Sequence, residues 1–87
     1  MSQDVASLVE EFIRTRFKVR ADDQHFSRDV NLWEEGYVDS AGVVEMIAYL
    51  EETLHITLPE EVLFDPDFTN INGIGRLITG IVASQGK

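Results

Sequence analysis

The chemistry this chain can offer is concentrated in one stretch, Gly36-Tyr-Val-Asp-Ser-Ala-Gly-Val-Val-Glu45. Ser40 carries a hydroxyl, Asp39 stands directly before it, and an apolar run with helical spacing follows. A serine in this position reads as an N-cap whose oxygen accepts a hydrogen bond from a free amide one turn into the helix. Helix starts also carry partial positive charge and open N–H groups, a setting that suits a phosphate. Ser40 has no histidine placed to complete a triad. His25 lies among Asp22, Asp23 and Gln24 and reads as a solvated loop residue, while His55 stands at the end of a helical run. A strand-turn-helix nucleophile elbow is also absent. From Asp65 to Gly73 acidic and amide residues alternate as in a calcium loop. Asn70 takes the place of the required glycine, however, and Arg76 that of the twelfth-position glutamate. There is no cysteine, hence no disulfide or thiolate ligand, and any thiol chemistry needs an attached group. The reading is of a chain with no catalytic residues and no metal site.

The site does not stand alone. Leu32 and Glu34-Glu35-Gly36 precede it, and Val43, Val44, Glu45, Ile47 and Leu50 follow. The whole string resembles the acyl and peptidyl carrier proteins, with likeness running from about Val5 to about Ser84. In that family a Gly-x-x-Asp-Ser motif, here Gly36 to Ser40, opens the second of four helices. The resemblance implies that Ser40 is esterified by 4′-phosphopantetheine from coenzyme A. A phosphopantetheinyl transferase would do this, with Asp39 helping to hold its magnesium. The cofactor's thiol would carry the cargo as a thioester, loaded by an adenylating ligase and presented to downstream acyl-processing or transferase enzymes. Fatty-acid carriers usually have Leu after the serine; here Ala41-Gly42 stands there. That departure is closer to the D-alanyl and stand-alone aminoacyl carriers, and it implies an aminoacyl or short acyl cargo. The rival reading, from another class, is an acidic helical protein-interaction module without a prosthetic group, which has no use for Asp39-Ser40.

The elements that must position the site are helical. Ser2 can cap a first helix with Asp4 in its first turn, and Val5, Leu8, Val9, Phe12, Ile13 and Phe17 repeat at three and four. From Arg20 to Asp39 no helical period appears. So long a connection must be pinned, and Phe26, Val30, Leu32, Trp33 and Val38 are the candidate pins. Gly36 reads as a backbone position other residues disfavour. Ser40 to about Leu54 forms the second helix. At about 100° per residue, Val43, Met46, Ile47, Leu50 and Leu54 share a core stripe. Ala41, Val44, Glu45, Ala48 and Glu52 fall opposite and face water. By resemblance this outer stripe docks partner enzymes; read alone, Val44 is one ordinary exposed apolar residue. Pro59 to about Phe64 reads as a short helix with Pro59 at its first position. Asn70 caps a last helix with a stripe of Ile71, Ile74, Leu77, Ile78, Ile81 and Val82, and its glycines 73, 75 and 80 would allow close packing on the second helix. The fold class is all-α: a four-helix bundle of three long helices and one short, with a long first loop, as a single carrier domain over residues 1–87.

Charge narrows the partners. Seven basic residues face sixteen acidic ones, for a net −9. From Asp29 to Gly75 there are eleven Asp and Glu and no Lys or Arg. Such a stretch repels nucleic acid and steers basic protein surfaces toward itself. No run is long enough to span a membrane, and Met1 to Arg20 has no apolar stretch of signal-peptide type. The expectation is a monomeric cytoplasmic carrier.

Overall fold

The apolar repeat that opens the chain folds as α1 (Val5–Arg16), and the other two helices pack on it. The computed structural model describes residues 4–85. After α1 come α2 (Ser40–Leu54), a 3-10 segment at Glu60–Phe64, and α3 (Ile71–Gln85), with no strand among the described residues. The architecture is therefore all-α with three α-helices. The short helix expected from Pro59 to about Phe64 is a 3-10 helix over Glu60–Phe64, with Pro59 as its N-cap rather than its first residue, and the sequence explains its brevity. Pro66 disfavours α geometry at the residue before it. Asp65 is accordingly extended, and the segment ends there with one buried anchor, Val62.

The core is continuous across the helices. α1 contributes Leu8, Val9 and Ile13, α2 contributes Val43, Met46 and Leu50, and α3 contributes Ile71, Ile74 and Ile78. Phe12, Phe17, Ile47, Leu54, Leu77, Ile81 and Val82, expected on the inner stripes, flank this core half-buried. The cap expected at Ser2 lies outside the described residues. Asp4, expected in the first turn, is the N-cap residue of α1 and makes no capping bond with its side chain. Its carboxylate is instead within reach of Ser7 Oγ at 3.4 Å and the Arg28 guanidinium at 3.5 Å.

The long first loop is held by its own hydrogen bonds. Leu32, 1% exposed, donates its N–H to the carbonyl of Thr69 at 2.7 Å, and Tyr37 N–H donates back to Leu32 at 2.9 Å. Asp23 accepts from the amides of His25 and Phe26 and from the Tyr37 hydroxyl. Gly36 has φ +77°, the left-handed conformation expected of it. Phe26, Leu32 and Val38 are buried pins; Val30 is half-buried and Trp33 lies largely at the surface. Arg28 ties the loop to α1 and α3. Its side chain donates to Glu10 at 2.8 Å and Ser7 at 3.2 Å, and its carbonyl accepts from Asn72 N–H. Glu10 also accepts from Arg14, and these two guanidinium groups hold its carboxyl below the usual glutamate range.

The glycines of α3 do not serve contact with α2 as expected. A Cβ at Gly75 would lie 3.1 Å from Ala6 Cβ, so this glycine lets α3 approach α1. A Cβ at Gly73 would overlap the carbonyl oxygen of Asp67, whereas Gly80 faces open space. The reason is that α3 packs mainly on α1. Two substitutions therefore have opposite signs. Gly80→Ala should raise unfolding stability in urea by up to ~1 kcal/mol through helix propensity. Gly73→Ala should lower it, because Asp67 main chain must move. A stabilising Gly73→Ala would mean that the loop yields freely there.

Candidate functional site

The start of α2 is built by Asp39, one residue earlier than expected. Asp39 is the N-cap, extended at φ −133° and ψ 170°, and its Oδ1 accepts from Gly42 N–H at 2.8 Å. Its carbonyl takes Val43 N–H at 3.0 Å, the first bond of the helix. Ser40 is thus the first residue inside the helix rather than its cap. Aspartate and serine are comparable caps, so an Asp-Ser pair leaves the register undecided by one residue. With Asp39 in that role, the Ser40 hydroxyl is exposed and takes part in no hydrogen bond among the described residues. A carboxylate also stands where an anion would bind the helix end, so the N-terminus of α2 is not an open phosphate cradle.

Behind this turn the end of α1 presses on α2. The Phe17 ring occupies the space that a side chain at position 42 would need, and Gly42 is buried beneath it. The Arg16 guanidinium lies over the same ring, 5.3 Å from its centroid. From there it forks onto Glu45, Nε to Oε1 at 2.6 Å and Nη2 to Oε2 at 3.4 Å. This pairing holds the Glu45 carboxyl below the ordinary glutamate range and raises Arg16. Nothing in the sequence pairs residues 16 and 45, because the contact depends on how the helices cross.

The outer face of α2 has the composition read from its periodicity. Ala41, Val44, Glu45, Ala48 and Glu52 are all exposed, Val44 by 59%. Glu45 differs from the expectation in being already partnered by Arg16. His25 and His55 are remote from a catalytic role. His25 contacts Glu35 at 3.0 Å, and His55 is the left-handed C-cap of α2 with φ 57°. The Asn70 cap is present as expected: its Oδ1 accepts from Gly73 N–H at 2.6 Å. Among the described residues no group of three or more His, Cys, Asp or Glu is arranged to hold a metal ion. No helix among them is long and apolar enough to cross a membrane.

With these features in place, comparison with known families gives one match. The family described as "Phosphopantetheine attachment site" covers residues 5–78, most of the chain, and the protein belongs to this family. Its members are non-catalytic carriers that bear 4′-phosphopantetheine covalently on a serine, and they work with phosphopantetheinyl transferases and acyl-processing enzymes. No curated protein and no solved structure matches significantly. Three serines lie in the matched stretch. Ser7 is half-buried between Asp4 and Arg28, and Ser27 Oγ accepts from Asp29 N–H at 3.3 Å. Ser40 alone of the three is exposed on a helix with its hydroxyl uncommitted among the described residues. An esterified group there meets no packing conflict, so these residues fit the cofactor.

The cap assignment is testable by itself. Asp39→Ala should cost ~0.5–2 kcal/mol in urea unfolding, the usual cost of removing a cap. Ser40→Ala should change stability by no more than about 0.5 kcal/mol, as for other exposed sites. Equal losses would return the capping role to the serine.

Proposed function

We propose that this protein is a cytoplasmic, monomeric acyl or aminoacyl carrier whose 4′-phosphopantetheine is attached to Ser40, with residues 1–87 as one carrier domain. The observation that carries the reading is the free, exposed hydroxyl of Ser40 beside Asp39, set against two other serines in the matched stretch that are tied into the fold. Asp39 caps through Oδ1 only, which leaves Oδ2 for the magnesium of the transferase. When attached, the cofactor supplies a flexible arm ending in a thiol that holds the cargo. The chain's own part is to display the hydroxyl, keep the α2 start rigid and offer a surface for docking. In this reading the three helices and the 3-10 segment form the carrier family's four-element bundle.

The cargo in this reading is an aminoacyl or short acyl group from an adenylating ligase. The support is Ala41, small and exposed, where a larger side chain would meet partners. Gly42 adds nothing to that argument, since Phe17 already requires it. Efficient extension of a long chain on this protein by fatty-acid synthase enzymes would exclude such a cargo preference.

The attachment site is tested with a broad-specificity phosphopantetheinyl transferase, coenzyme A and magnesium. Intact mass should show a single addition, and peptide mapping should place it on Ser40. Because Asp39 supplies the cap, Ser40→Ala should keep the fold by circular dichroism and accept nothing. Addition to Ser7 or Ser27 would overturn the assignment.

Docking on Ala41, Val44, Glu45, Ala48 and Glu52 makes a separate prediction. Val44→Arg should slow loading by the cognate ligase with little loss of fold. Arg16→Gln frees the Glu45 carboxylate for a basic partner and should speed loading, while Glu45→Gln should slow it. Unchanged rates in all three variants would place the docking face elsewhere.

A further inference from the structure

A phosphodiester on Ser40 would be a permanent anion placed among other anions. Asp39 and Glu45 are exposed carboxylates on either side of Ser40 in the chain. The Asp39 carboxylate already takes the Gly42 amide, so the helix end has a negative group in place before any phosphate arrives. Compensation has to come from a side chain, and Arg16 is placed to give it. Its guanidinium lies over the Phe17 ring, 5.3 Å from the centroid, and that ring rests on Gly42 in the turn that carries Ser40. Glu45 chiefly, through its hydrogen bond, and Asp39 at longer range both raise the Arg16 pKa, so the cation stands within the field of both carboxylates.

The guanidinium is only partly used. Nε and Nη2 donate to Glu45, while Nη1 donates to no group among the described residues, and the side chain is 39% exposed. At about 100° per residue Ala41 falls between Ser40 and Glu45 around the helix, and it brings only a methyl group there. The other arginines pair with Glu10, Asp22 and Asp67, none of which belongs to α2. We propose that Arg16 is the counter-ion of the phosphodiester on Ser40, binding it through N–H groups that Glu45 leaves free, while Glu45 and the Phe17 ring hold the guanidinium in place. The inference rests on the reading of Ser40 as the attachment site and adds a residue of α1 to the cofactor's binding site. A planar fork toward a phosphate is the pairing in which arginine exceeds lysine. Held at its charged root, the arm remains free beyond it.

The full chain is converted with a broad-specificity phosphopantetheinyl transferase, coenzyme A and magnesium, then freed of metal, and peptide mapping locates the group. Two NMR signals read the contact from its two ends. The Arg16 Nε–Hε signal should shift when the group is attached. The phosphorus signal of the attached group should shift between the wild type and Arg16→Gln, and both shifts should shrink as salt rises. Arg16→Lys should restore part of the phosphorus shift, since it keeps the charge and loses the fork. Lys18 is also exposed and forms no ion pair among the described residues, so Lys18→Gln controls for a general basic field and should leave the phosphorus signal in place. Should Arg16→Gln not fold, the Arg16 signal of the wild type before and after attachment decides. An Arg16 signal that attachment does not move, a phosphorus signal indifferent to Arg16→Gln, or one moved equally by Lys18→Gln overturns the proposal and leaves attachment at Ser40 standing. A group mapped to another residue, or no addition at all, overturns the attachment reading and this proposal with it.

Discussion

The contact on which the site depends is the Phe17 ring lying on Gly42. It joins the end of α1 to the first turn of α2, at the point where the hydroxyl of interest is displayed. With no Cβ at position 42, the ring lies directly on the helix backbone. The ring in turn provides the surface on which Arg16 rests, and Arg16 reaches from there to Glu45. A side chain at position 42 would displace the ring and with it the guanidinium that sets the charge on the α2 face. The small residue after Ala41 is thus explained by packing before any question of cargo arises.

The first loop shows a related economy of means. It spans the interval between α1 and α2 without regular structure, yet its backbone is bonded to itself and to the approach to α3 through Leu32 and Thr69. Arg28 performs the same service on the other side by engaging α1 with its side chain and α3 with its carbonyl. A loop fastened at both ends and in the middle delivers Asp39 to α2 in a fixed orientation. The backbone before a cap must be set for its side chain to turn back onto the helix. The rigidity of the site therefore originates outside the helix that carries it.

Much of this was legible in the sequence, for identifiable reasons. The limits and two faces of α2 followed from spacing, because burial imposes the helical period on a two-faced segment. Asn70 and Gly36 were readable because each satisfies a local backbone requirement with a characteristic residue. The identity of the α2 cap was not readable, since Asp39 and Ser40 suit the role equally and only the fold chooses between them. The partners of Gly73 and Gly75, the Arg16–Glu45 fork and the half-exposed position of Trp33 were also hidden. Each depends on residues distant in sequence that meet only when α1, α2, α3 and the loop are in place. The 3-10 character of Glu60–Phe64 lay between these cases: Pro66 announced a stop, but the tightness of the turn was a matter of packing.

One consequence follows from where the arginines spend their charge. All five engage carboxylates of the chain: Arg14 and Arg28 on Glu10, Arg16 on Glu45, Arg20 on Asp22 and Arg76 on Asp67. With its arginines so paired, the chain still carries a net charge of −9, which attracts cationic bodies at long range. Long-range attraction sets how often partners arrive and says nothing of how they sit. Orientation is a matter for the last few ångströms, where Val44 and Phe64 stand exposed as apolar side chains in an acidic surface.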